Sequence, residues 1–292
     1  MIPYQGNKKK IAHEILNQIP SANNFYDLFG GGGAVTKAAS ELDKWKTIHY
    51  NEINCGVYLL FKELIEGKFD FEKARNTWIS REEFHRLKNE PSAWGGYVAT
   101  CWSFGNGLED YLYGRDKELA KLLMFVLVNY ENVFLPNTNQ NERRLFLQRA
   151  VKSLVKVGGK ELESLQKQQA LQNLESLVRL QSIEAIIEPT KLTSVIATNM
   201  DYRQVKIARN SVVYCDIPYS GGEGTDPRSY CIKFNRPDFL DWAATRNFPV
   251  YISEYEITDP RFKCLWKKNI RCVFSSTSNT TPKTERLYWN RV

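Results

Sequence analysis

Metal and disulfide chemistry have little to work with in this chain. Its three histidines are scattered, and its six cysteines (Cys55, Cys101, Cys215, Cys231, Cys264 and Cys272) form no C-x-x-C pair. No zinc site is legible, and the thiols read as free, partly buried groups of a reducing compartment. No apolar run approaches the roughly 18 residues of a membrane span. The opening MIPYQGNKKK has no apolar signal core, so the expected location is the cytoplasm. Internal repeats and low-complexity tails are absent as well.

What is present is basic and globular. Forty Lys and Arg face thirty-three Asp and Glu, a net charge of +7, with 42% hydrophobic and 25% charged residues. A basic excess steers a protein toward polyanions, and it equally suits a basic enzyme with no such partner. The 292 residues suffice for one large α/β domain with an insertion, or for two modest domains. Either can bury a core without disulfides or metals.

The first fifty residues alternate between strand and helix patterns. NNFYDLF is a short apolar and aromatic run, broken by Gly30 to Gly33. AVTKAASELDKW has helical spacing, and KTIHYNEIN reads as a second strand ending in an acid. That order is the first half of a nucleoside-binding α/β unit. From residue 56 to 189 helix periodicity takes over. ELAKLLMFVLVNYENVF (Glu118 to Phe134) reads as a core helix, and Leu162 to Leu180 recur at a spacing that simple packing explains. Between them Arg143, Arg144, Arg149, Lys152 and Lys156 fall in the most basic stretch. Three of these are three and four apart, so a helix there shows one cationic face. After Pro189 strands return: TSVIATNMDY, SVVYCD, PVYISEY, IRCVFSST and RLYWNRV. Unbroken β-branched runs predict parallel strands buried on both faces. The expected architecture is an α/β domain of residues 1–55 and 190–292, split by a helical insertion of residues 56–189.

Two places carry candidate chemistry. In FYDLFGGGGAVTKA a strand feeds a glycine-rich turn and then a helix, which brings backbone N–H groups to the sheet's carboxyl edge. The turn does not follow G-x-G-x-x-G and lacks the Lys-Ser/Thr of a P-loop. Glu52, 22 residues after Gly30, ends the next strand, where a carboxylate can take ribose hydroxyls; an exposed strand-end acid reads the same way. In VVYCDIPY a second buried strand ends in Asp216, with Pro218 stiffening the chain and Tyr219 offering a flat ring. An acid beside an aromatic platform can hold a planar base bearing an exocyclic amine. Alone, the same residues make an ordinary Asp-initiated turn.

The order and spacing of PYQGNKK, DLFGGGG, NEIN, MDY, DIPY and KTERLYWN resembles the S-adenosylmethionine-dependent DNA adenine methyltransferases of the Dam type. The resemblance covers residues 2–56 and 193–292, and the middle matches as an insertion where that family carries its target-recognition domain. It implies a Rossmann-like methyltransferase fold: a mostly parallel central sheet, helices on both faces and an antiparallel last strand. It also implies a bacterial or phage-infected cell, double-stranded DNA as partner, no metal, and a flipped-out target base. The resemblance places Tyr4, Lys8, Phe29, Gly30, Gly31 and Gly32 on the cofactor. Glu52 takes the ribose, where the family more often has Asp. Asp201 and Tyr202 border the adenine, and Asp216 touches both cofactor and substrate. Asp216, Ile217, Pro218 and Tyr219 stand in for the catalytic Asp-Pro-Pro-Tyr. Arg228, Lys233 and Arg236 join the basic residues of the insertion as candidates for DNA phosphates, although a solvated surface accounts for any one of them.

Ile217 departs from the family pattern. The target amine needs two acceptors, the Asp216 carboxylate and the next residue's backbone carbonyl, and isoleucine supplies a carbonyl as proline does. Adenine dimethylases of ribosomal RNA resemble this local form. Three readings therefore stand at this point: a DNA adenine methyltransferase, an RNA adenine methyltransferase, and a cofactor-binding protein that has lost turnover.

Overall fold

The chain is seen as a computed structural model that describes residues 1–115, 195–218, 234–270 and 283–292, with positions 118, 121, 122, 125, 142, 145 and 149. Its described helices are α1 (Ala12–Asn17), α2 (Ala34–Ser40), α3 (Cys55–Ile65), α4 (Phe71–Asn76), α5 (Arg81–Leu87), α6 (Ala93–Cys101) and α7 (Arg236–Ala244). Strands β1 (Ala22–Asp27), β2 (Trp45–Asn51), β3 (Val195–Thr198), β4 (Ser211–Asp216) and β5 (Val250–Glu254) run parallel. Strand β7 (Lys283–Trp289) returns antiparallel between β5 and β6 (Lys263–Ile270), giving the order β3-β2-β1-β4-β5-β7-β6.

Strands β4 and β5 are buried along nearly their whole length, as their unbroken apolar runs predict. Side chains alternate between two faces. On one, Thr36 of α2 donates to Asp27 at 2.7 Å, and Phe61 of α3 stacks on Tyr50 with ring centroids 3.8 Å apart. On the other, Phe239 and Ala243 of α7 pack on Tyr26, Val213, Cys215, Val250, Ile252 and Tyr288. The central sheet thus has helices on both faces, and its last strand in sequence, β7, is antiparallel, as the resemblance implies.

Strand β6 escapes the sequence reading. Its KCLWKKNI carries Lys263, Lys267 and Lys268, all exposed. It is an edge strand, where lysines oppose pairing with another chain, so its charge hides its strand character. The expected strand IRCVFSST lies, beyond Ile270, outside the described residues.

The chain forms two compact units. One comprises Met1–Phe69, Arg86–Asp110 and Glu188–Val292; the other Asp70–His85 and Tyr111–Ile187. Helices α3 and α6 thus belong to the unit of the sheet, although the sequence reading groups them with the insertion. They meet backbone to backbone: a Cβ on Gly96 would lie 2.0 Å from the Gly56 carbonyl oxygen. In the other unit Trp78 stacks on Tyr113, and the Tyr111 hydroxyl donates to the Ile79 carbonyl at 2.7 Å. Positions 118, 121, 122 and 125 are helical, within the stretch read as a core helix.

Candidate active site

Strand order reverses between β1 and β4. In open parallel sheets the carboxyl edge at such a reversal forms the ligand crevice. Both motifs emerge there. Strand β1 ends at Asp27 and runs into the glycine loop, while β4 ends at Asp216 and runs into Ile217 and Pro218. The strands are direct neighbours, with Asp27 opposite Tyr214.

The glycine loop is held by backbone and carboxylate. Gly30 N–H donates to the Asn51 carbonyl at 2.8 Å, and Gly31 N–H to Glu52 Oε2 at 2.8 Å. Glu52 Oε1 accepts from Asn54 N–H, also at 2.8 Å. Glu52 is buried, and burial pushes its carboxyl upward against the pull of these N–H donors. Gly31 has φ of 47°, in the left-handed region. A Cβ there would lie 3.1 Å from the Tyr4 ring, so the N-terminal segment covers the loop at Gly31 and Gly32.

Asp27 lies at the same edge, and the sequence reading passes over it. It is buried, its Oδ2 accepts from Thr36 Oγ1, and its Oδ1 has no hydrogen-bond partner. Burial pushes its pKa up to about 7, with the negative charges of Asp216 and Glu52 adding to the rise and the Thr36 hydrogen bond opposing it. The available signal was positional: Asp27 ends β1 as Asp216 ends β4.

Around Asp216 the structure gathers residues from both ends of the chain. Lys8 Nζ lies 2.8 Å from Asp216 Oδ1 and 4.0 Å from Glu285 Oε1, and donates to the Gly6 carbonyl at 3.1 Å. Lys8 and Glu285 are both buried. Ile217 is 1% exposed and packs with Tyr26, Leu28, Cys215 and Phe239 on the opposite face of the sheet. Its side chain is therefore a core anchor for the segment that follows β4. Pro218 is half-buried.

Beside this edge, Phe29 and Tyr202 meet with centroids 5.4 Å apart, and Phe234 closes on Phe29 edge to face at 5.7 Å. Asp201 is held by Arg203, whose Nε and Nη2 lie 2.8 and 2.6 Å from its two oxygens; that hydrogen bonding draws the Asp201 carboxyl downward. Ile53 and Met200 are exposed apolar side chains. They flank Asn199, whose amide donates to the Glu52 and Ile53 carbonyls.

Arg236 faces inward. Its Nη1 lies 3.3 Å from Glu254 Oε2, and it donates to the Glu256 carbonyl. Glu254 is 0% exposed, and burial raises its pKa to about 7 against the pull of the Tyr255 N–H and Arg236. A carboxyl with a higher pKa folded than unfolded binds more protons in the folded state between the two values. Folding stability then falls as pH rises across that interval. Asp27 and Glu254 both act in this sense between the ordinary carboxyl range and about 7. Each contributes a slope of up to ~1.4 kcal/mol per pH unit. Burial lowers the His49 pKa, which acts in the opposite sense, so the change on mutation is the readout. Between pH 5 and pH 8 the melting temperature of Glu254→Gln should fall less, or rise more, than that of the wild type, and an identical pH dependence would contradict the assignment.

Arg149 is exposed. Tyr219, Arg143, Arg144, Lys152, Lys156, Arg228 and Lys233 lie outside the described residues. Among the described residues no group of three or more His, Cys, Asp or Glu side chains is placed to hold a metal, and no helix is long and apolar enough to cross a membrane.

No curated protein matches the chain. A family model does, over residues 4–231, well over half of the sequence and inclusive of the glycine loop, Glu52 and Asp216 to Tyr219. With that match and two motif-bearing strands side by side at the sheet's reversal point, the chain belongs to the D12 class of N6 adenine-specific DNA methyltransferases.

Proposed function

We propose that the enzyme methylates the amino nitrogen of an adenine flipped out of double-stranded DNA, with S-adenosylmethionine as donor. The observation that carries this reading is the adjacency of β1 and β4, which sets the glycine loop beside Asp216. The residues present suit the donor. A buried acid with an unpartnered oxygen, Asp27, matches an ammonium group, and Glu52 offers a carboxylate at the end of β2. Phe29 and Tyr202 offer ring faces, Ile53 and Met200 apolar contact, and Tyr4 covers the backbone of Gly31 and Gly32. Asp201 borders this group and is screened by Arg203. S-adenosylmethionine, when bound, supplies an electrophilic sulfonium methyl.

The chain's own part is to make a poor nucleophile competent. The lone pair of the adenine amine is delocalised into the ring. Asp216 and the Ile217 carbonyl accept hydrogen bonds from the two amine hydrogens, which favours a tetrahedral nitrogen whose lone pair is available for attack; the proton that the methylated nitrogen would then release passes to solvent. Positioning and fixed dipoles supply the rate. The buried Ile217 side chain fixes the backbone that carries this carbonyl, a task the family gives to proline. The Tyr219 ring stacks on the extruded base and offsets a flipping cost of a few kcal/mol. Lys8, at 2.8 Å from Asp216, belongs to this clamp. The helical insertion, with Arg143, Arg144, Arg149, Lys152 and Lys156, and the Arg228 and Lys233 segment hold phosphates. Arg236 instead anchors Glu254.

Incubation with tritiated S-adenosylmethionine and either duplex DNA or RNA tests this. Label should enter adenine of the duplex; label in RNA alone would overturn it. In addition, Asp27→Asn should weaken donor binding about tenfold by calorimetry, the loss of one charge-assisted hydrogen bond. Unchanged affinity would remove Asp27 from the donor site.

A further inference from the structure

Lys8 already has a close carboxylate partner in Asp216 at 2.8 Å, yet a second acid, Glu285, is buried to 1% exposure 4.0 Å from the same ammonium. A buried carboxylate is expensive to keep unless it is paired. The Lys8 ammonium thus lies within ion-pair reach of both carboxylates.

The topology explains how Glu285 reaches the site. Ser253 of β5 lies opposite Asp216 of β4 on one side and Leu287 of β7 on the other. Glu285 is two residues from Leu287, so it shares the sheet face of Asp216. It also lies beyond residues 4–231, on the antiparallel strand between β5 and β6.

We infer that Glu285 is a positioning residue for the transfer reaction: it anchors Lys8 so that the ammonium fixes Asp216 through Oδ1 without drawing off the acceptor strength that the adenine amine needs. This rests on the reading of Asp216 as the amine's acceptor. With Glu285 present, the Lys8 charge is shared between two carboxylates and its side chain is held between them. Without it, more of the Lys8 charge falls on Asp216, which becomes the weaker acceptor toward the amine. The effect is on the chemical step, since Glu285 acts through Lys8.

A double-mutant cycle with Lys8 tests the inference on the full chain. Glu285→Gln keeps volume and removes charge, and should lower kcat on the order of tenfold while KM for donor and DNA stays within about twofold. In a Lys8→Met background the same change should have less than about twofold further effect, because Glu285 acts through Lys8. Additive losses would overturn the inference. So would a Glu285→Gln enzyme of wild-type rate beside a slow Glu285→Ala enzyme, which would mark a packing role. Should Glu285→Gln fail to melt cooperatively, Glu285→Asp takes its place: it keeps the charge, draws it back from Lys8, and should also lose kcat at constant KM. A wild-type rate for that variant overturns the inference too. Asp216→Asn serves as the separate control. If it retains turnover, the reading of Asp216 itself falls; if it is inactive while Glu285→Gln is normal, only the positioning role falls.

Discussion

Asp216→Asn should lower methyl transfer by about a thousandfold, the upper range for removing one preorganised electrostatic contact to a transition state. The substitution keeps shape and size, so the loss reports chemistry. The geometry makes asparagine worse than a neutral bystander. Lys8 Nζ, 2.8 Å from Oδ1, demands an acceptor at that position. The asparagine carbonyl must therefore turn toward Lys8, which leaves the NH2 group in the other oxygen's place. A donor then faces the adenine amine, itself a donor, and the hydrogens that should be drawn out of conjugation are repelled. Asp216→Ala lacks this opposed donor and is a useful comparison, although it strips the buried Lys8 ammonium of its nearest carboxylate and should also lower stability. Initial rates with tritiated donor and duplex DNA, alongside melting and donor-binding measurements, separate the effects. A rate within tenfold of wild type, in a folded protein, would exclude Asp216 as the amine's acceptor.

Much of this site could be read from sequence because its parts sit at strand ends. A buried parallel strand announces itself as an unbroken apolar run, and the acid that stops the run marks the sheet's carboxyl edge. Asp216 after SVVYC and Glu52 after the β2 run were found in this way. The order of the motifs then supplied the rest. What the sequence hid depends on approach in three dimensions. Lys8 and Glu285 come from opposite ends of the chain and meet only because β7 inserts beside β5. Ser253 and Glu254 carry no motif at the end of PVYISEY, yet Ser253 shares a 2.7 Å hydrogen bond with the Tyr214 hydroxyl, and Glu254 is sunk against Arg236. Arg236 is basic and follows the DIPY segment, which makes it a phosphate candidate in the sequence; its ion pair with Glu254 on the next strand has no sequence signal. Gly56 and Gly96 carry no motif, and only their contact shows that α3 and α6 pack as one pair within the unit of the sheet. Ile217 gave half of its meaning. Its backbone suits the clamp, while the use of its side chain as a core anchor needed the packing of α7 to become visible.

Gly30→Ala should be severely damaging to the glycine loop. A Cβ at this position would lie 2.1 Å from Tyr50 Cε2 and 2.3 Å from Cδ2. Relief requires the ring to move, and it has nowhere to go. Tyr50 is fully buried, Phe61 stacks behind it with centroids 3.8 Å apart, and its hydroxyl is tied to the Gly31 carbonyl at 2.8 Å. Phe61 is itself pinned, since a Cβ on Gly33 would come within 2.5 Å of its ring. The strain must then pass into the loop and move Gly31 N–H off Glu52. The expected loss is about 3 kcal/mol of stability, the upper end for overpacking a tight core. Donor affinity should fall on the order of tenfold or more as the loop shifts. Gly67→Ala is the calibrating variant: its φ of 66° strains any side chain, but no atom stands within 4 Å of the new methyl. It should cost about 1 kcal/mol from backbone strain alone and leave donor binding unchanged. Denaturant unfolding and calorimetry of the two variants distinguish contact from conformation. If Gly30→Ala is no worse than Gly67→Ala, the clash with Tyr50 does not govern the loop. If it does govern it, trimming the ring should rescue the methyl: in a Tyr50→Ala background, Gly30→Ala should lose most of its added destabilisation.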